Sequence, residues 1–424
     1  VKIVFWLSLA GIVYAYAGYP VVIWLLARLS PRAWKSAPLS PSVSIVLAVH
    51  NGAALLPGKI QHLLSLDYTN IHEIIFVSDG STDGTAAILR SLHNPLIKTI
   101  VLAEHGGKAV AVNAGVAAAT GEVILFVDIR PEIAPGAIQH LVNNFADPKV
   151  GCVAGELKLH QRNHDATSAA VGGLYWRYEQ WIRKCESAFD SPVGVYGGFY
   201  AIRNSLAITQ PAGMILDDMF QPLSIIRQGY RSVIDEAAVV YDMWPEKMEG
   251  EFHRKVRTLA GNFQLVQLAP WTLTAQNRVV FQFVSHKLMR LGVPWLTLLL
   301  LASTLALAVN SRMYAACASV EALALAIAIL GLRPIVPVLH RIAAPAGALL
   351  VLNAAAVVGL YKFLTTRGPL WKIWNASTPR PALETCAPDG QARALFIEES
   401  MPFSAGNGSR DNQQQRVEEK AIVR

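Results

Sequence analysis

Five short stretches of this 424-residue chain set charged side chains where they could do chemistry. FVSDGSTDGT (76–85) ends a strand-like run on Asp79. A turn from Gly80 to Gly84 follows, with Asp83 placed to cap the next helix. Capping alone accounts for Asp83. Asp79 asks for more, because a carboxylate at the carboxyl edge of a sheet suits a hydrogen bond to a nucleotide base or ribose. GGKAVAVNAG (106–115) puts Lys108 at a helix N-terminus within Gly-rich backbone. Amides and ammonium together suit a diphosphate there, although a surface lysine beside a tight turn reads equally well from that stretch alone. No GxGxxG follows the first strand and no GxxxxGK[ST] occurs, so dinucleotide and P-loop readings lose their main support.

ILFVDIRP (124–131) ends another apolar run on Asp128, a position from which a carboxylate can hold a divalent cation (Mg²⁺ or Mn²⁺) bridging donor phosphates. LDDMFQPLSIIRQGYR (216–231) opens a helix with Asp217 and Asp218, and one of the two can take a proton from an acceptor hydroxyl. Helix capping explains either one but not the pattern as a whole. HRKVRTLAGN (253–262) sets Arg254 and Arg257 three apart on one helix face, where they can clamp a diphosphate.

In this order the stretches resemble family two glycosyltransferases, above all the membrane-bound polysaccharide synthases for hyaluronan, cellulose and poly-N-acetylglucosamine. The resemblance covers roughly residues 40 to 290. It implies a GT-A type nucleotide-sugar fold and an inverting transfer. Asp79 would hold the donor base, expected to belong to a UDP-sugar, and Lys108 would lie near the donor. Asp128 would be the first residue of the DxD metal motif. Asp218 would match the catalytic aspartate of the ED motif, since Gly229 falls where the family has its downstream glycine. YGGFYAIR (196–203) looks like the acceptor segment, with Gly197 and Gly198 beside Asp217 on the acceptor side. Two departures stand out. The second DxD aspartate is Arg130, which can itself contact phosphate. The QxxRW signature keeps an arginine as Arg257 and a later glycine as Gly261 but has no Trp, so processive polymerisation is not implied.

These residues need strands to carry them. VSIVLAV (43–49), EIIFVS (73–78), KTIVLA (98–103), EVILFV (122–127) and VGCVAGEL (150–157) alternate with helical stretches to about Leu66, from Asp83 to about Leu92, from near Lys108, and over 136–146. That alternation predicts an α/β domain with a mostly parallel sheet, spanning 43–265. From about 165 to 265 the pattern is less regular. Residues 3–27 carry no charge and are long enough to cross a bilayer, as are 291–309, 313–331 and about 343–364. A linker (30–42) and an interfacial helical region (266–290) join them to the domain. RPIVPVLHRI reads as a further amphipathic stretch, and the tail from 376 reads as disordered.

Composition agrees with a membrane-flanked domain: 53% hydrophobic and 16% charged residues, with a mean hydropathy of +0.34. The net charge of +7 is read as cytosolic flanks of the spans, Arg28, Arg32 and Lys35 among them, and not as a nucleic-acid surface. The four cysteines form no CxxC pair and read as reduced. The expectation is a multi-pass protein of the cell (inner) membrane with a cytosolic catalytic domain. Its partners would be a nucleotide-sugar donor, a glycan or lipid-linked acceptor, membrane lipid and polysaccharide export proteins. A catalytically inactive nucleotide-binding scaffold of a secretion system is the alternative, and Arg130 is its best support.

Overall fold

The computed structural model describes residues 1–160, 166–243, 248–332, 337–366, 368 and 370. The tail from 376, Cys386 and residues 333–336 of the amphipathic stretch lie outside the described residues.

Helix α1 (Lys2–Leu29) is apolar along its length and contains one π turn, Tyr14–Gly18. The nucleotide-binding half then alternates strand and helix: β1 (Val43–Val49), α2 (Leu56–Leu64), β2 (Ile71–Asp79), α3 (Thr85–Arg90), β3 (Ile97–Leu102), α4 (Lys108–Ala118) and β4 (Val123–Val127). Successive side chains of a strand point to opposite faces, and the burial shows it. Ile45, Leu47, Ile74, Phe76 and Leu125 pack on one side with α2. Val46, Ile75, Val77, Ile124 and Phe126 pack on the other with Ala111 and Val112 of α4. β1 lies between β2 and β4, parallel to both, with Val43 opposite Ile71 and Val123. The carboxyl ends of the three strands therefore meet at one edge, and that edge carries Asp79 and Asp128.

The second half continues with β5 (Glu132–Ile133), α5 (Ala137–Asn143), β6 (Val150–His160), α6 (Ala166–Phe189), β7 (Phe199–Arg203), α7 (Asp217–Arg227), β8 (Arg231–Met243) and α8 (Met248–Leu268). The stretch from 165 to 265, which looked irregular in sequence, thus holds long elements. Their periodicity is blurred because α6 buries charged residues and β8 carries Asp235 and Glu236 mid-strand. The sheet runs β3-β2-β1-β4-β7-β6-β8-β5. Four of its seven pairings are parallel and three antiparallel, so it is a mixed sheet, less parallel than expected. The departure has a consequence for the site. β7 enters antiparallel to β4, with Val127 opposite Phe199. The backbone just beyond that pair closes with Asp128 N donating to Gly198 O at 3.3 Å.

Among the described residues three further long helices follow: α9 (Val280–Ala308), α10 (Arg312–Leu330) and α11 (Pro337–Thr365). Among the described residues, four helices, counting Ala343–Thr365 of α11, are long and apolar enough to cross a membrane. Phe5, Leu300 and Tyr314 hold α1, α9 and α10 together, while Tyr19 and Ile23 of α1 pack on Ile182 and Cys185 of α6. Asp190 ties the linker to the domain by accepting from Arg32 (2.5 Å) and Arg278 (3.0 Å).

Candidate active site

Asp79 sits at the last residue of β2 and is 2% exposed. Its Oδ1 accepts from the Gly106 amide (2.8 Å), and its Oδ2 faces His105 Nδ1 (2.8 Å). His50, just past β1, bonds the Asp79 carbonyl at 2.7 Å and stacks on His105 with ring centres 3.7 Å apart. The carboxylate is thus spent on holding the 104–107 loop, which presents Gly107 and Lys108. Gly80 makes this closure possible. It has φ +54°, and a Cβ there would stand 2.2 Å from the His105 nitrogen. Gly80→Ala is expected to push the loop off Asp79, so the Gly106 amide should exchange with deuterium faster than in the parent. Unchanged protection would mean the loop is held elsewhere.

Lys108, the first residue of α4, reaches across the edge. Its Nζ lies 3.2 Å from Asp128 Oδ1 and 3.1 Å from Asp217 Oδ2. Burial works against its charge, but Asp128, Asp217 and Asp218 outweigh burial and raise its pKa above the ordinary lysine value. Its side chain stays 41% exposed and that of Asp128 38%, so this pair faces the open side of the cluster. Asp217, at 5%, closes the inner side.

Asp218, the next residue, is partly buried. Its Oδ1 is buried and, among the described residues, has no hydrogen-bond partner. Burial first and the neighbouring Asp217 second push its pKa up to about 7, against the pull of Lys108, Lys287 and Arg183. The Gly197–Gly198 segment lies against it: a Cβ on Gly197 would stand 2.9 Å from Asp218 Cβ, and Val195 N donates to Asp218 O at 3.0 Å. The structure therefore gathers Lys108, Asp128, Asp217, Asp218, Gly197 and Gly198 at one place. Asp79 stands behind the same loop.

The arginines fare differently. Arg130 pairs with Asp242 at 3.2 Å, at the end of β8. Arg254 and Arg257 are exposed on α8. α8 instead packs against α11, where Gly359 lets the backbones approach, and against the segment leading into α7. A Cβ on Gly261 would stand 2.8 Å from Leu216 Cγ, and Gln264 spans the same segment by accepting from Ile215 N (3.0 Å) and donating to Gly213 O (2.9 Å). Gly261 and Gln264 thus deliver Asp217 and Asp218.

Several other residues of the site went unnoticed in the sequence. Lys59 of α2 donates to Pro131 O (2.5 Å) beneath the Asp128–Arg130 turn, and burial pushes its pKa down to about 8 despite nearby Asp128, Glu132 and Asp242. A buried network joins α1, α6 and α9. His286 sets Nδ1 against Glu186 (2.8 Å) and Nε2 against Glu179 (3.1 Å). Tyr19 donates to Glu186 at 2.6 Å, and Arg290 pairs with Glu179. Glu186 Oε2 also accepts from Val193 N (3.3 Å), four residues before Gly197. Only an apolar span carrying His, Lys and Arg at its start hinted at this network.

Residues 44–207 match the family described as "Glycosyl transferase family 2". Poly-beta-1,6-N-acetyl-D-glucosamine synthase of Staphylococcus aureus (strain COL) is 24% identical over 231 residues, 53% of this chain and 55% of that protein. The synthase of the same name from Staphylococcus epidermidis is 23% identical over 236 residues, 54% and 57% of the two chains. The match spans just over half the length of these curated relatives. Among solved structures, a mannosyltransferase from Pyrobaculum calidifontis, in complex with GDP-Man and Mn²⁺, superposes with a TM-score of 0.62. It is 21% identical, covering 85% of this chain and 99% of that one. The fold is the GT-A glycosyltransferase fold, accompanied by four helices of membrane-spanning length. The family match falls on residues 44–207, the stretch that carries Asp79, Lys108 and Asp128.

Proposed function

We propose that the protein moves a sugar from a nucleotide-diphosphate donor, expected to be a UDP-sugar, onto a glycan or lipid-linked acceptor at the cytosolic face of the cell membrane. The product would be an exopolysaccharide or cell-surface glycan. One observation carries the reading: a buried carboxylate oxygen of Asp218 without a partner among the described residues, beside Gly197 and within the field of Lys108. An ionisable group tuned toward neutrality and placed in this way suits a general base.

In the proposed reaction Asp218 removes the proton of an acceptor hydroxyl. The acceptor oxygen bonds to the anomeric carbon from the face opposite the diphosphate, and the bond to the phosphate oxygen breaks with its electrons leaving on the nucleotide diphosphate. That order inverts the centre. Lys108 meets the negative charge growing on the leaving group. Gly197, lacking a Cβ, lets the segment with Gly198 lie against Asp218 on the acceptor side. Asp217 holds Lys108 and, with Asp218, keeps the acceptor side negative. Asp79 fixes the loop that presents Lys108, an indirect service to the donor beyond any contact with the base. Arg130, already neutralised by Asp242, and the exposed Arg254 and Arg257 stand as outer contacts for the diphosphate.

The residues fit a divalent cation in one way. Among the described residues no three His, Cys, Asp or Glu side chains are grouped for a self-sufficient metal site, but Asp128 offers a half-exposed carboxylate at the mouth. A cation held by one carboxylate and donor phosphates is normal for Mg²⁺. When bound, it would add positive charge on the leaving diphosphate. Turnover is therefore expected to stop with EDTA and to return with Mg²⁺ or Mn²⁺. Full activity after exhaustive chelation would instead leave Lys108 and Arg130 as the only electrophiles. The purified full chain, assayed with a donor panel for nucleotide release, tests the whole reading against the inactive scaffold.

A further inference from the structure

Helix α2 turns Leu56, Ile60 and Leu63 into the core, and Lys59 is buried on the same face among them. Spacings of three and four put these side chains on one stripe, so a lysine fills what the pattern makes a core position. It is 5% exposed. A buried ammonium is costly unless a carboxylate answers it. The hydrogen-bond partner of Lys59 is instead the carbonyl of buried Pro131, at 2.5 Å. Burial outweighs the pull of Asp128, Glu132 and Asp242 and lowers its pKa, so the charge is kept against a penalty.

Pro131 closes the turn that carries Asp128 and Arg130, and that turn is held at both ends. At the front, Asp128 N donates to Gly198 O at 3.3 Å. Behind it, Lys59 holds Pro131 O, Ile133 N donates to His62 Nε2 (2.9 Å), and Gly136 N donates to Asp67 Oδ2 (2.6 Å). Burial first and the Lys59 charge second lower the His62 pKa to about 4, which leaves Nε2 a lone pair for that amide. Ile129 packs on the same core as Leu56 and Ile60. Between these fixed points the Asp128 and Arg130 side chains stay 38% and 32% exposed. The backbone is pinned and its two charged groups stay accessible. A neutral donor could hold Pro131 O as well. What the ammonium adds is positive charge beneath a turn that an anionic diphosphate must approach.

Building on the glycosyl-transfer reading, we propose that Lys59 is a positioning residue for the donor diphosphate. It clamps the 128–131 turn from beneath and offsets the negative charge around it, so that Asp128 keeps its place at the mouth when the diphosphate arrives. No bond to Lys59 forms or breaks.

A strut and a positioning residue respond differently to Lys59→Met, which keeps the side chain's length and removes its charge and its donor. The full chain in detergent should melt no lower than the parent, because a buried charge has gone. Calorimetry with Mn²⁺ present reads binding of whichever of UDP, GDP and ADP the parent holds best. Its Kd should rise about tenfold, near the lower end of what a hydrogen bond to a charged group contributes. Donor KM should rise alike while kcat changes little, since Lys108 and Asp218 are untouched. If the Met variant does not fold, Lys59→Gln, a shorter neutral donor, decides by the same readings and should weaken binding less. Unchanged diphosphate affinity and donor KM, with a lower melting point, would make Lys59 a strut and overturn the proposal. A loss of kcat with donor KM unchanged would overturn it too. A parent that binds none of the three diphosphates and releases nucleotide from no donor would be a different failure, defeating the glycosyl-transfer reading and this inference with it.

Discussion

Asp218→Asn should lower transfer by about 10²- to 10⁴-fold, the usual worth of a general base, while nucleotide-sugar binding stays intact. The parent's rate should fall as pH drops through about 7, because burial and Asp217 hold the carboxyl there and only its ionised form takes a proton. The stability sign is opposite. A carboxyl whose folded pKa is raised contributes fully below about pH 4 and loses that contribution as pH rises through about 7. Removing the charge should therefore leave Asp218→Asn at least as stable as the parent at pH 8. Asp217→Asn should be milder in rate and should shift the acid limb to lower pH, because the charge that raises Asp218 is gone. An acid limb that stays in place would assign it to another group.

The second large effect should fall on stability. In His286→Leu, Glu186 keeps Tyr19 and the Val193 amide but loses the ring that faces both carboxylates. Leaving a buried charge without its partner typically costs about 3–5 kcal/mol. Melting of the detergent-solubilised chain should drop by several degrees. Turnover should fall with it, because Glu186 anchors the loop segment at Val193 that leads to Gly197. A variant melting like the parent would show that Arg290 and Lys287 suffice for the network.

The parts of this site that were legible in sequence are those built by local pattern. The run VSIVLAV matches β1 residue for residue, and Asp79 and Asp128 were found because each ends or follows an apolar strand. Lys108 was placed at a helix start by its two glycines, and the helix begins there. The parts that stayed hidden depend on contacts far apart in the chain. His286 and Glu186 are separated by 100 residues, and Tyr19 and Glu186 by 167, and no periodicity reports such a pairing. The antiparallel entry of β7 was missed for the same reason, although it is what brings Gly198 to Asp128. The spacing of Arg254 and Arg257 put them on one face but could not say which face α8 buries; that choice was made by Gly261, Gln264 and the contact with α11.

The central claim is that Asp218 deprotonates an acceptor during sugar transfer. Its most direct test compares nucleotide-diphosphate release by the full chain and by Asp218→Asn. Both would be assayed across a panel of nucleotide sugars with Mg²⁺ or Mn²⁺ present, and donor binding would be measured alongside. One donor should support acceptor-dependent release by the parent, and Asp218→Asn should bind that donor equally well yet release nucleotide at least about 10²-fold more slowly. Equal rates for the two proteins would contradict the account.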